Sequence, residues 1–242
     1  MKPTYSIIIS ARNEEEAIAK VICSIPRSIS RFSEVIVVDS SSKDLTHIIA
    51  KRLGVKVIKS NKGKGRTMRK GAEVSKGKVL IFVDGDGEHP PEYIPKLLMK
   101  LKDSNLVLGC RTFKKSKNDD FVLSQIFKIY SVFIRPMFSL VGFKVADPLS
   151  GFRVIRRHDW NRLDLKSNGF EIEAEMDIKA LENGFIVKEV SIPTIKRGGG
   201  ILKSHFFRNP KALLKILNLL IRYTSNVKIR NMLINMRKQF QY

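Results

Sequence analysis

Residues 78–92 read KVLIFVDGDGEHPPE, and this stretch decides the architecture. Val79, Leu80, Ile81, Phe82 and Val83 are an unbroken apolar run of strand formers, and turn residues follow at once. Such a run predicts a strand buried on both faces that ends in a loop. Asp84 and Asp86 stand just past its carboxyl end, with Gly85 and Gly87 giving the loop freedom to bend. Two carboxylates so placed can converge on one cation. Mg²⁺ and Mn²⁺ take oxygen ligands and commonly share one or two carboxylates with substrate phosphates. A polar turn after a strand has the same local composition, so the neighbouring segments must decide.

Outward from this strand the chain keeps one rhythm. Tyr5–Ser10, Glu34–Asp39, Val55–Ser60 and Leu106–Gly109 read as further short buried strands. Between them Glu14–Ile25, Leu45–Leu53, Arg66–Ser75 and Glu92–Lys102 read as helices. Alternation of this kind predicts an α/β fold with a mostly parallel, Rossmann-like central sheet flanked by helices. Ligands of such sheets bind outside the carboxyl ends of the strands. Asp39, Asp84 and Asp86 all fall there. Basic residues open the helix after Gly63 and Gly65 and oppose its dipole, so an anion is expected at that helix start.

The pattern changes after residue 110. KKSKNDD (114–120) is a charged loop, and 121–145 carries a narrow polar stripe through Ser124, Lys128, Ser131, Arg135, Ser139 and Gly142. Pro136 divides it into two helices. They are either core helices with one wet edge or helices lying in a membrane surface. Asp147–Arg153 is a turn entering a strand, Phe170–Asn183 a helix and Val187–Ile192 another strand. IKRGGGILKS (195–204) is a glycine loop with Arg197 and Lys203 at its flanks. Pro210–Tyr223 and Val227–Phe240 are two amphipathic helices. Trp160, Phe206 and Phe207 suit an interface or a core equally.

The 242 residues carry 45 Lys+Arg and 23 Asp+Glu, a net charge of +22. Eleven basic and no acidic residues lie from Lys196 onward, which leaves +11 for the remainder. An acid-free amphipathic tail calls for an anionic partner. No nucleic-acid motif is present, and basic residues set against a broad apolar face suit anionic lipid better than a groove. Cys23 and Cys110 have no metal-ligand spacing and suggest no disulfide framework. The first ten residues do not form a signal peptide, and no uncharged run is long enough to span a bilayer.

In order, SARNE (10–14), VVDSSSKD (37–44), NKGKGRTMRKG (61–71), VDGDGEHPPE (83–92), GCR (109–111), DPLSGFR (147–153) and GFEIEAEM (169–176) resemble the inverting A-type nucleotide-sugar glycosyltransferases. HPPE and RGGGILKS turn the resemblance toward the dolichyl- and polyprenyl-phosphate mannose or glucose synthases. It spans roughly residues 4–205. It implies a catalytic domain over 1–205, with a nucleotide-sugar half to about 110 and an acceptor half beyond it, and a basic helical tail over 206–242. Glu14 and Asp39 match positions that hold ribose and base, and Ala11, Asn13, Lys62, Arg66 and Gly85 fall with them on the nucleotide side. Asp84 and Asp86 match the metal–diphosphate pair for Mg²⁺ or Mn²⁺. Arg111 matches a basic residue near the acceptor phosphate, and Asp147, Ser150 and Arg153 belong to the acceptor-side turn. Arg197 and Lys203 match a loop that closes over diphosphate. Asp86, Arg111, Asp147 and Arg197 are the expected catalytic set.

The implied reaction moves a hexose, with GDP-mannose favoured over a UDP-sugar, to dolichyl or polyprenyl phosphate at the cytosolic face of a membrane. A membrane-protein subunit is a possible partner under this reading. The alternatives are transfer to a saccharide or lipid hydroxyl, a nucleic-acid-binding protein without catalysis, and a non-catalytic relative. Ser40 stands where many relatives carry a second acid, which bears on base recognition. Glu88 is expected to face water. His89 is expected as a turn residue, with a metal-side role as the alternative.

Overall fold

The apolar runs form a seven-stranded sheet in the order β3-β2-β1-β4-β6-β5-β7. The computed structural model describes residues 3–112, 135–140, 142–193, 195 and 210–239. Arg197, Lys203, Phe206, Phe207 and residues 121–134 lie outside them. β1 (Tyr5–Ala11), β2 (Ser33–Asp39), β3 (Lys56–Lys59) and β4 (Val79–Asp84) run parallel. β5 (Leu106–Thr112) and β7 (Val187–Pro193) pair parallel to each other. β6 (Arg153–Arg156) lies antiparallel between β4 and β5. The expected mostly parallel sheet is present, and β6 interrupts it.

Side chains alternate across the strands and fill two cores. On one face Ile8, Val38, Leu80 and Phe82 pack with Met68 of α4 (Lys64–Val74) and with Trp160 of α7 (Arg157–Leu163). The Phe82 and Trp160 ring centroids are 4.7 Å apart, which settles Trp160 as a core residue. On the other face Ile7, Ile9, Val37, Ile81 and Val83 pack with α1 (Ile18–Cys23) and α5 (Ile94–Lys100). Full burial of one such aliphatic side chain contributes about 1.5–3 kcal/mol. Among the described residues before the tail, the further helices are α2 (Arg27–Ser30), α3 (Thr46–Arg52), α6 (Arg135–Leu140) and α8 (Ile172–Glu182).

Two expectations are corrected and one is narrowed. The helix expected from Glu14 begins only at Ile18. The amides ahead of it donate across to the β2–α3 loop instead: Asn13 N to Ser42 Oγ (2.9 Å), Glu14 N to Thr46 Oγ1 (2.8 Å) and Glu15 N to Asp44 Oδ2 (3.2 Å). At the start of α4, where an anion is expected, two amides are already taken within the chain: Gly65 N donates to Gly169 O (3.1 Å) and Arg66 N to Asn168 O (3.3 Å). The approach is so close that a Cβ on Gly63 or Gly65 would lie 2.2 or 2.1 Å from the carbonyl oxygens of Asn168 and Ser167. Lastly, the two expected tail helices are one, α9 (Pro210–Gln239). Its Ala212, Ile216 and Leu220 are buried, and Ile216 and Leu220 join the core beside α8. Spacing of four residues puts them on one face. The first turns of the tail are therefore part of the folded body.

Candidate active site

The parallel strands bring three loops to one edge of the sheet. β1 ends at Ala11, β2 at Asp39 and β4 at Asp84, and the registers set Ala11 beside Asp39 and Ser10 beside Asp84. Asn13 takes a left-handed backbone (φ 56°), and its side-chain Oδ1 accepts from Lys43 N over 2.8 Å. Glu14 and Asp39 are buried. Asp39 accepts from Ser42 N at 3.3 and 3.4 Å, which makes it a brace for its own loop as well as a strand-end acid. Ser40 Oγ accepts from Gly63 N at 3.3 Å, so this position ties β2 to the start of α4. Arg66 is exposed and lines an open groove with Ser41, Ser60 and Asn61. Lys62 is exposed beside it, and its carbonyl accepts from Arg66 Nη1 at 3.5 Å.

At the centre lies Asp84. Both of its oxygens are 2.9 Å from Lys64 Nζ, and the same ammonium pairs with Glu173 of α8. Burial alone would push Lys64 down, but the two carboxylates outweigh it and hold the amine charged, above its ordinary value. The sequence places Glu173 among the acids early in its helix, but gives neither it nor Lys64 a place in the site. Asp86 is nearly buried and accepts from Glu88 N at 3.0 Å. Gly85 N donates to Ser10 O at 2.9 Å, which locks the turn between the two acids onto β1.

His89 is fully enclosed. Its Nδ1 is 3.7 Å from Asp84 Oδ2 and its Nε2 is 3.4 Å from Ser150 Oγ. Burial first, and then the Arg111 guanidinium, push the imidazole below its ordinary value against the pull of Asp84, Asp86 and Asp147. The ring joins the Asp84 loop to the Asp147–Ser150 turn, which is more than a turn residue does.

Arg111 extends from β5 toward two acids. Its Nε and Nη2 donate to Asp147 at 2.7 and 3.2 Å, and Nη1 donates to Glu88 at 2.8 Å. Glu88 is therefore paired and does not simply face water. Ser150 Oγ donates to Gly109 O at 2.6 Å. Arg153, expected on the acceptor, has no exposed surface. It ion-pairs with Asp177 and donates to Ser150 O (2.8 Å) and Pro148 O (2.5 Å). It supports the turn from beneath and does not face the cleft.

The donor set suits a hard divalent ion. Asp84 and Asp86 offer carboxylate oxygens in a glycine turn, and among the described residues the buried Nδ1 of His89 has no hydrogen-bond partner, with Asp84 Oδ2 3.7 Å away. Among the described residues no group of three His, Cys, Asp or Glu forms a complete cage. Such an ion would take its remaining ligands from substrate phosphate and water.

The sequence model of "Glycosyl transferase family 2" matches residues 6–163. The chain belongs to glycosyl transferase family 2. This family-2 glycosyltransferase is 30% identical over 197 residues to a dolichol-phosphate mannosyltransferase of Pyrococcus furiosus, covering 78% of this chain and 55% of that protein. The chain thus spans little more than half of that relative. A polyprenol monophosphomannose synthase of Mycolicibacterium smegmatis is 28% identical over 238 residues, covering 89% of this chain and 87% of that one. Among solved structures, glucosyl-3-phosphoglycerate synthase from Mycobacterium tuberculosis in complex with Mn²⁺ and UDP-glucose superposes with a TM-score of 0.73 at 23% identity, covering 92% of this chain and 79% of that one. That likeness shows the A-type glycosyltransferase fold.

Proposed function

We propose that this glycosyltransferase moves a hexose from a nucleotide sugar, GDP-mannose before UDP-sugars, to the phosphate of a dolichyl or polyprenyl phosphate, with inversion and with Mg²⁺ or Mn²⁺. The observation that carries the acceptor is the pairing of Arg111 with Asp147. A hydroxyl acceptor needs a general base to take its proton, and Asp147 is the residue on the acceptor side that the resemblance offers for that role. Both oxygens of Asp147 accept from Arg111, and the residue is fully buried. A phosphate acceptor arrives ionised and needs positioning more than a base. The names of the Pyrococcus and Mycolicibacterium relatives support the same acceptor.

We assign the roles from the resemblance and, for the described residues, from their places at the strand ends. The β1 and β2 loops, with Ala11, Asn13, Glu14 and Asp39, hold the nucleoside. Lys62 and Arg66 lie at the rim of that side, and Arg197 and Lys203, which lie outside the described residues, are assigned by the resemblance to a loop over the diphosphate. Asp84 and Asp86 hold the cation. The cation, when bound, neutralises charge that develops on the departing nucleoside diphosphate. Arg111 orients the acceptor phosphate for attack on the anomeric carbon from the face opposite the leaving group, which inverts that centre. Asp147 and Ser150 keep Arg111 and the turn in place.

The membrane assignment rests on α9. Its exposed face carries Leu214 (64% exposed) and Ile221 (60%) together with Lys211, Lys215 and Arg222. Among the described residues no helix is long and apolar enough to cross a bilayer. We read this face as a peripheral contact with anionic lipid on the cytosolic side, where each basic residue near the surface contributes about 1 kcal/mol. A donor panel tests the reading. GDP-mannose, GDP-glucose, UDP-glucose and UDP-N-acetylglucosamine are each supplied with a short polyprenyl phosphate and Mn²⁺. Formation of a glycosyl phosphoprenol from one donor supports it, and no glycosyl phosphoprenol from any donor counts against it.

A further inference from the structure

Lys64 opens α4 and reaches the one place where a cation is expected. Its Nζ stands 2.9 Å from both oxygens of Asp84 and pairs with Glu173 on α8. The three side chains are only 11, 16 and 4% exposed. The Phe170 ring centroid is 5.9 Å from the ammonium. Gly151 closes the box: a Cβ there would lie 2.5 Å from Lys64 Nζ and 2.2 Å from Asp84 Oδ2. Two carboxyl groups share one ammonium in a place that is nearly dry, and burial pushes the Glu173 carboxyl above its ordinary value. Burial of charge without a partner is costly, so the lysine stabilises the Asp84 carboxylate where it stands.

We propose that Lys64 is a built-in counter-cation for Asp84, competing with the divalent ion for the same carboxylate so that the ion is captured with the nucleoside diphosphate and not before it. The inference rests on Asp84 being a metal carboxylate, as argued above. Glu173 is the second seat for the ammonium: when Asp84 turns to the ion, Lys64 keeps one carboxylate and stays paired. The diphosphate supplies the extra negative charge and the oxygen ligands that tip the exchange. Lys64 and Glu173 are positioning residues in this account.

The test is Mn²⁺ binding without nucleotide, read from the loss of the electron-paramagnetic signal of the hexaaquo ion. Lys64→Met is expected to bind Mn²⁺ at least about tenfold more tightly than the natural protein, since a unit charge a few ångströms away is worth several kcal/mol at protein dielectric. Glu173→Gln commits the ammonium to Asp84 and is expected to weaken binding. Lys76→Met makes the same formal charge change at an exposed position, and about a twofold effect or less is expected because salt screens it. GDP or UDP should narrow the gap between Lys64→Met and the natural protein. Without metal Lys64→Met should melt at a lower temperature, and Mn²⁺ should raise its Tm by more than that of the natural protein.

Equal affinity in Lys64→Met, or an equally large change in Lys76→Met, overturns the inference while leaving the metal role of Asp84 intact. If Lys64→Met does not fold, Glu173→Gln decides, and unchanged or tighter Mn²⁺ binding overturns it. Failure of the natural protein to bind Mn²⁺ even with GDP or UDP overturns the metal reading and this inference with it.

Discussion

Arg111 donates to both oxygens of Asp147, at 2.7 and 3.2 Å, and so joins the end of β5 to the turn that precedes β6. The carboxylate fixes the plane of the guanidinium. Under the proposed function Asp147 holds Arg111 in place for the acceptor phosphate and is not a proton acceptor. Asp147→Asn keeps an oxygen for Arg111 and should lower kcat by less than about tenfold, whereas loss of a general base costs about 10²–10⁴. Its effect should lie in the acceptor KM, with the pH profile unchanged. A hundredfold loss of kcat together with loss of the acidic limb of the profile would make Asp147 a base.

Arg111→Lys keeps the charge and loses the fork. The acceptor KM should rise about tenfold to a hundredfold, the equivalent of one charge-assisted hydrogen bond of about 1.5–3 kcal/mol. The KM of the nucleotide sugar should not move. A parallel change in both KM values would place Arg111 on the donor.

Asp86→Ala should reduce transfer by about a hundredfold or more, as expected when a group that stabilises developing charge is removed. Asp86 is buried and accepts from Glu88 N, so the melting temperature is read beside turnover to separate a folding loss from a catalytic one. Near-natural turnover with Mn²⁺ present would remove Asp86 from the mechanism.

The strand order and the strand-end acids were legible because buried runs such as VLIFVD need no tertiary information. β6 was legible only as an unspecified strand, since RVIR carries no signal of direction. The Lys64–Glu173 pair was not legible at all: one residue opens α4, the other lies in α8, and only the fold brings them together. Arg153 was misassigned for a related reason. A guanidinium next to a phosphate-binding turn reads as a ligand, and only its pairing with the buried Asp177 reveals a support. In the tail, helical spacing was clear, but the burial of Ala212, Ile216 and Leu220 depends on what α8 presents.

That support has a stability consequence. Arg153→Met leaves Asp177 buried without its partner, which costs about 3–5 kcal/mol when one member of a buried pair is removed. Denaturant unfolding checks this. A loss below about 1 kcal/mol would mean the pair is not closed to water.

Asp44 gives a pH signature. Partial burial pushes its carboxyl up, but hydrogen bonds from Thr46 Oγ1 and from the amides of Thr46 and Glu15 outweigh this and hold it below its ordinary value. The folded pKa is depressed, so its stabilisation is present above the unfolded value near 3.8 and is lost as pH falls through the folded value. Melting temperatures of the natural protein and Asp44→Asn should differ at neutral pH and converge below about pH 4. A constant difference down to pH 2 contradicts the assignment.

Leu214→Glu and Ile221→Glu alter exposed positions on α9 and should leave the fold unchanged. They should reduce flotation with anionic liposomes, and high salt should reduce flotation of the natural protein only in part, because apolar burial does not depend on salt. Unchanged flotation would show that α9 serves only the core.

The central claim concerns the acceptor, and one competition measures it. The enzyme, Mn²⁺ and the donor it accepts are offered a polyprenyl phosphate, the matching polyprenol and a saccharide together, and the products are resolved by mass spectrometry with the anomeric centre assigned by NMR. The account predicts hexosyl phosphoprenol of inverted configuration as the dominant product. Preferential glycosylation of the polyprenol or saccharide hydroxyl, with the phosphate untouched, would contradict it.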